Sequence, residues 1–318
     1  MPGPANRLIW SKDTAGGPAK PHPQPLSKRE GSHGGPTVCN RLAPLSFGAG
    51  TRVRGCSRYD VLAGRHYYRH ALMPALDRFS AQAAGYARYR IDYPAELYIW
   101  LLPQVVARER AWDCATGNGQ VAAVLADSFI RVDATDLSAN QLAQAILRSN
   151  IHYQTARAEH TPFPAQRFDL ITVAQAVHWF EPAAYHAEVR RVARHGAVLA
   201  EWGYGLVQIS SAIDPLIQQF YRDTMGPYWD ANRWHIDDEY ARIPFPFAEV
   251  RRAHFAVRRS WSAEWFLQYL RTWSSVAKYQ QERGEDAVGL IAAAVAQWWG
   301  SGEREVVFPV FARAGRVE

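Results

Sequence analysis

The stretch Trp112-Asp113-Cys114-Ala115-Thr116-Gly117-Asn118-Gly119-Gln120 decides the fold. Ala111 to Thr116 reads as a short buried strand, Gly117-Asn118-Gly119 as a tight turn, and Gln120 to about Asp127 as a helix. Glycine enters left-handed backbone at no steric cost and lets the main chain approach a ligand closely. The helix start beyond it offers unpaired N–H groups and the positive end of the helix dipole. The order strand, glycine turn, helix therefore predicts a binding turn.

Downstream the same alternation repeats. Ile130 to Thr135 reads as a second strand ending in Asp136, and Ser138 caps a helix to Ser149. His152 to Arg157 is a third strand, and the apolar run Phe168 to Ala174 a fourth. Pro182 to Val192 is helical, and Ala197 to Trp202 is a fifth strand. Upstream, a helical pattern from about Ser80 carries Tyr86, Tyr89 and Tyr93, and Pro94 opens a second helix to about Ala107. After Trp202 the rhythm breaks. Residues 204–248 hold a helix from Ile213 to Tyr221 and a stretch rich in proline and tryptophan, an expected helical cap above the sheet. Arg252 to Ser260 is a sixth strand. A helix capped by Ser262 runs to about Gln281, another spans Glu285 to Trp299, and Glu305 to Phe311 is the closing strand. The expected architecture is α/β, with a doubly wound, mostly parallel, seven-stranded sheet and helices on both faces. Such sheets bind ligands beyond the carboxyl ends of their strands, where the strand order reverses.

Residues 1–72 are rich in Gly, Pro, Ser and Arg and lack a sustained apolar period. Burial there cannot offset the entropy of ordering. This segment is expected to be disordered or a spurious extension of the gene start, since Met73 stands just before the first convincing pattern. The domain is expected over 73–318, with a cofactor-binding core at 108–202.

Of the 318 residues 48% are hydrophobic, enough for a sizeable core, and 12 Trp, 15 Tyr and 13 Phe leave a surplus to line a pocket. The formal net charge of +6 is spread along the chain. The basic run Arg251, Arg252, Arg258 and Arg259 falls in a strand pattern, so a nucleic-acid partner is not expected. Three cysteines, Cys39, Cys56 and Cys114, are too few and too scattered for a disulfide framework. With no long apolar run and no leader-like start, the expectation is a cytoplasmic protein without a membrane partner, monomeric or homodimeric.

Asp136, at the end of the second strand, is placed to hold both hydroxyls of a ribose. With the glycine turn it predicts a nucleoside-containing cofactor. A dinucleotide fingerprint would need a third glycine, and position 122 is Ala. Asp113, inside the first strand, has no role toward a pyrophosphate but can orient the amino end of a methionine moiety through the turn. No Cys-x-x-Cys, His-Glu-x-x-His, Gly-x-Ser-x-Gly or phosphate loop is present, so no metal site or nucleophile turn is expected.

Residues 79–202 resemble class I methyltransferases dependent on S-adenosylmethionine, the type 11-like group and in particular its trans-aconitate methyltransferase-like branch. The resemblance is carried by Phe79-Ser80 with Tyr86-Ala87-Arg88-Tyr89-Arg90 and Tyr93-Pro94, by Trp112 to Gly119, by Asp136-Leu137-Ser138, and by Phe168-Asp169-Leu170 running to His178-Trp179-Phe180. It implies a Rossmann-like sheet. It also implies that Asp113, Ala115, Gly117 and Gly119 surround the methionine end of S-adenosylmethionine, and that Asp136 binds the ribose with Leu137 beneath the adenine. Ala158 and Glu159 would lie at the adenine edge, Gln175 would face the methionine moiety, and the Tyr86–Arg90 helix would close over the site. Three positions depart from the pattern: Ala115 replaces the first glycine, Arg157 an acid, and Ile91 a proline.

His178 follows the fourth strand, where substrate and methyl donor should meet. It is a candidate general base, against the plainer reading of a polar pocket wall. Trp179, Trp202 and Tyr204 are candidates for the substrate pocket, or equally for core beneath the cap. Methyl transfer asks chiefly for alignment and exclusion of water, and a carboxylate acceptor needs no base. An acid could be held by Arg90 or Arg271. The expected activity is methyl transfer to a small molecule such as a carboxylic acid. A quinone or other aromatic metabolite as acceptor, and a non-catalytic binding protein, are the alternatives.

Overall fold

The computed structural model describes Tyr89 and residues 91–318. The expectations for residues 1–72, for Phe79 and Ser80, and for Tyr86–Arg88 and Arg90 fall outside the described residues.

Strand β1 (Arg110–Cys114) pairs in parallel with β2 (Arg131–Asp136) on one side and with β4 (Phe168–Ala174) on the other, and β3 (Ile151–Thr155) lies outside β2. Beyond β4 the sheet continues through β5 (Ala193–Tyr204), then β7 (Glu303–Arg316), and ends on β6 (Ala248–Ser262). Strand β7 runs antiparallel to both neighbours. The order β3-β2-β1-β4-β5-β7-β6 is a doubly wound, Rossmann-like sheet, mostly parallel. The chain turns outward from β1 to β3 and then returns to β4, so the switch point lies between the ends of β1 and β4. The run Phe-Asp-Leu-Ile-Thr-Val-Ala of β4 is buried to its last residue, as a strand covered on both faces must be.

Helices α1 (Ala95–Leu101) and α2 (Gln120–Leu125) bury Leu97, Leu101, Val121 and Leu125 in the core on one face of the sheet. The other face is packed by α4 (Pro182–Val192), following the single turn α3 (Ala139–Leu142), with Tyr185 and Val189 against Trp112, Phe168 and Ile171. The described residues contain no helix long and apolar enough to cross a membrane.

Several elements differ from the expected ones for local reasons. The helix capped by Ser138 is one turn long. After it the Ile146 N–H donates to the Asn118 carbonyl (3.0 Å), and the Tyr153 hydroxyl donates to the Ile146 carbonyl (2.7 Å). Both backbone groups that would extend a helix are thus drawn to the glycine turn and to β3. The long helix after Ser262 is two helices, α7 (Ala263–Arg271) and α8 (Ser274–Arg283). The break is at Trp273, whose extended backbone puts its ring against Phe220, Tyr221 and Trp229. Helix α9 is shorter than expected, spanning Gly289–Trp299.

The 204–248 segment holds α5 (Asp214–Gln219), a wider π turn (Phe220–Thr224) and α6 (Trp234–Asp237). It is tied to the sheet by Arg313 of β7, which is fully buried. The Arg313 guanidinium donates to the carbonyls of Tyr240 and Ile243 (2.9 Å each) and pairs with Glu201 of β5 (2.6 Å).

Candidate functional site

The site is assembled at the carboxyl ends of β1, β2 and β4. Asp113 is almost wholly buried and accepts three hydrogen bonds: from the Thr116 hydroxyl, from the Ala122 N–H (3.1 Å) and from the Thr172 hydroxyl (2.9 Å). It therefore fastens the turn, the start of α2 and β4 to one carboxylate. Burial pushes its carboxyl up to about 6 despite these donors. Thr116 and Thr172 are the partners that sequence reading did not single out; Thr172 is the one hydroxyl in an otherwise apolar strand apart from Asp169 at its start.

The turn is left-handed at Ala115 (φ 56°), Gly117 (φ 57°) and Gly119 (φ 82°). Position 119 needs glycine twice over. Its φ penalises a side chain, and an added Cβ would collide with the Tyr153 hydroxyl and sit 3.0 Å from Tyr153 Cζ. Asp136 accepts from the Gly117 N–H (2.8 Å) through one oxygen and from the Ser138 N–H (2.8 Å) through the other. Each oxygen keeps a further lone pair, and a cis-diol needs two acceptors. Leu137 beside it is 46% exposed, an apolar surface next to a buried-edge carboxylate. Beyond β3, Ala158 is buried. Glu159 is pinned by Arg157 (3.4 Å) and accepts from the Glu181 N–H (3.1 Å) at the start of α4. Two acceptor oxygens stand beside an exposed apolar side chain, an arrangement that could cradle a nucleoside.

Comparison with known proteins gives the family. A family model described as a methyltransferase domain matches residues 112–200. A protein named as a methyltransferase in Dictyostelium discoideum is 32% identical over 216 residues, covering 67% of this chain and 82% of that one. The chain belongs to the class I methyltransferases. The structure of a protein described as a type II methyltransferase from Anaeromyxobacter dehalogenans shares 36% identity, with a TM-score of 0.67, over 72% of this chain and 98% of that one. An uncharacterised methyltransferase of Mycobacterium tuberculosis is 35% identical over 124 residues, about half its own length (49%). Methyltransferases of this class draw the methyl group from S-adenosylmethionine. The donor set here suits it: a diol acceptor at Asp136, an apolar surface at Leu137, and a buried negative charge beneath the turn at Asp113.

At the end of β4 the methyltransferase chain again turns left-handed, at Gln175 (φ 56°). The Gln175 side chain does not hang free over the cradle. Its Oε1 accepts from the Tyr204 N–H (2.8 Å) and its Nε2 donates to the Tyr204 carbonyl (3.3 Å), so the amide bridges β4 to β5. An expected contact with the methionine moiety thus competes with a bond already made. Tyr204 is half-buried, edge-on to Phe308. Trp202 takes the core reading rather than the pocket one: its ring is fully buried, edge-on to Tyr93 and Tyr98.

His178 lies on a single 3-10 turn (Val177–Trp179), with Trp179 half-buried beside it and its ring stacked near Tyr240 (6.0 Å). Burial pushes its imidazole down to about 3, helped by the positive charge of Arg233. A ring that weakly basic stays neutral and takes up a proton poorly at neutral pH, which favours the wall over the base. Arg271 is bound to Asp286 at the surface (2.7 Å). Asn232 and Arg233, which the sequence reading passed over, stand beside His178 instead: Asn232 Nδ2 donates to the His178 carbonyl (2.6 Å). Among the described residues no group of His, Cys, Asp or Glu is arranged to hold a metal ion.

Proposed function

We propose that the chain binds S-adenosylmethionine with its ribose on Asp136, its adenine on Leu137 and its methionine end over the 115–119 turn, and that it methylates a small carboxylic acid. The observation that carries the cofactor placement is Asp136. Its two oxygens are fixed by the Gly117 and Ser138 N–H groups and still keep acceptor capacity. Bound there, S-adenosylmethionine would supply an electrophilic methyl group. The protein's part is to align the acceptor and exclude water. The neutral, weakly basic His178 supports an acceptor that arrives already deprotonated, and a carboxylate is one at neutral pH.

The acceptor is proposed to be a free small molecule rather than nucleic acid. Arg258 in the basic run of β6 is compensated by Glu305 (2.7 Å), so the run is not an unbroken positive stripe. A cytoplasmic location is proposed on the same footing as before, with Cys114 a buried free thiol.

Calorimetric titration of the full chain with S-adenosylmethionine, S-adenosylhomocysteine and NAD tests the reading. Micromolar binding of both adenosyl compounds, lost in Asp136→Ala, is the expected outcome. Tight NAD binding, or no nucleoside binding by a folded protein, would overturn it.

A further inference from the structure

Arg233 stands in the loop leading into α6. Its guanidinium carbon is 5.0 Å from the centre of the Trp229 ring and 5.6 Å from that of Tyr221. Both rings are fixed. Trp229 Nε1 donates to the Tyr221 carbonyl (3.1 Å), the Tyr221 hydroxyl donates to Asp237 (2.9 Å), and Trp273 packs against the two at 5.5 and 5.8 Å. A guanidinium held over aromatic rings is preorganised, and its planar fork matches a carboxylate.

Two acids of the same segment are engaged elsewhere: Asp230 pairs with Lys278 (2.7 Å), and Asp237 holds the Tyr221 hydroxyl. Asp238 lies 3.3 Å from Arg242, and its oxygens accept no hydrogen bond among the described residues. Arg233 makes no ion pair among the described residues; its guanidinium also meets the Tyr221 hydroxyl, while its Nε is buried without a hydrogen-bond partner. A cation whose buried donor lacks an acceptor is costly unless an anion completes it. The loop also sits at the reaction corner, since the neighbouring Asn232 grips the His178 carbonyl (2.6 Å) and the Arg233 charge helps to keep the His178 ring neutral.

We infer that Arg233 is the anchor for a carboxylate of the methyl acceptor, and so the residue that makes this methyltransferase select acids. The inference rests on the reading above, in which the chain methylates a small carboxylic acid, and on the sequence expectation that acceptor and methyl donor meet near His178. The flanking Tyr221 and Trp229 rings suit an acid that carries an aromatic or other flat body.

The test is calorimetric titration of the full chain with phenylacetate, its uncharged amide phenylacetamide, and inorganic phosphate, each with and without saturating S-adenosylhomocysteine. Phenylacetate is expected to bind wild type, phenylacetamide to bind at least about tenfold more weakly, and Arg233→Gln to lose about tenfold in phenylacetate affinity. Arg233→Lys should fall between, and S-adenosylhomocysteine affinity should stay within about twofold in both variants. Circular dichroism and the melting temperature of Arg233→Lys, which keeps the charge and most of the packing, guard against a folding artefact. Equal phenylacetate binding by wild type and Arg233→Gln, or no phenylacetate binding by wild type, would overturn the inference. So would a parallel loss of S-adenosylhomocysteine, which would assign the guanidinium to the cofactor's own carboxylate. Phosphate bound more tightly than phenylacetate through Arg233 would likewise overturn the acid assignment. Because phenylacetate is also titrated alone, its Arg233-dependent binding can be read even if S-adenosylhomocysteine does not bind. That separates failure of the cofactor placement from failure of this inference.

Discussion

Ala115 and Gln175 follow the ends of two paired parallel strands, and both hold the same left-handed backbone, φ 56°. The two strained residues thus face the switch point from β1 and β4. Left-handed backbone costs a residue with a Cβ about 1–2 kcal/mol, and such strain persists where the surroundings over-determine it. At Gln175 the surroundings are visible: its N–H reaches the Trp202 carbonyl (2.8 Å) and its amide is doubly bonded to Tyr204. At Ala115 there is only a methyl to relieve. Ala115→Gly should raise the unfolding free energy by about 1 kcal/mol less the entropy that glycine adds to the unfolded chain. Urea denaturation would check this, and unchanged S-adenosylhomocysteine affinity would show that the methyl is not itself a cofactor contact.

Gly119→Ala should act in the opposite direction. The new methyl meets the Tyr153 hydroxyl at a position whose φ of 82° already penalises it. A loss of about 2–3 kcal/mol follows from overpacking plus strain. Adding Tyr153→Phe removes the nearest atom but leaves the ring, so the double variant should recover part of the loss. Full additivity of the two changes in a double-mutant cycle would show that they do not touch.

Much of this arrangement was legible in the residues. The apolar run of β4 and the proline-started α4 match the sequence reading residue for residue, because period and capping are local properties. The turn at 115–119 was legible because glycine is required there by backbone geometry. The failures are equally specific. The helix after Ser138 stops because Asn118 and Tyr153 compete for the backbone of Ile146, a tertiary competition that no local pattern reveals. Trp273 splits a long helical pattern because its ring fills a gap among three other aromatics. Arg233 is not legible in the sequence because a lone arginine in a loop looks like surface charge; only the fold shows its guanidinium over two fixed rings with no ion pair among the described residues.

Arg313 and Glu201 form a fully buried pair whose guanidinium also holds the carbonyls of Tyr240 and Ile243. Burial raises the Glu201 carboxyl, and Arg313 opposes that rise. Arg313→Met would strand a buried carboxylate and two carbonyls, and should cost about 3–5 kcal/mol. Adding Glu201→Gln removes the stranded charge and should restore a good part of the loss. Hydrogen exchange over 234–243 is the more telling readout. It should speed up in both variants, since neither can donate to the two carbonyls, while exchange in β1 and β4 of the double variant should stay close to wild type.

Asp113 gives the clearest dependence on pH. Its folded carboxyl titrates at about 6, above its ordinary 3.8, so the folded protein takes up this proton before the unfolded chain does. The contribution to stability is complete below 3.8 and is lost as pH rises through about 6, on the order of 3 kcal/mol. Asn at this position can keep every contact. Its carbonyl would accept from Thr116 and Ala122, and its NH2 would donate to Thr172, whose hydroxyl can turn to the Trp112 carbonyl (3.4 Å). Asp113→Asn should therefore be more stable than wild type at pH 7.5 and should lose this part of the pH dependence between 4 and 6.5. The same change deletes the negative charge beneath the turn, so affinity for the cationic S-adenosylmethionine should fall more than affinity for the neutral-sulfur S-adenosylhomocysteine. A variant that gained stability and bound both compounds as wild type does would show that the buried charge has no part in holding the cofactor. One that lost stability at pH 7.5 would show that the ionised carboxylate is the form the fold requires.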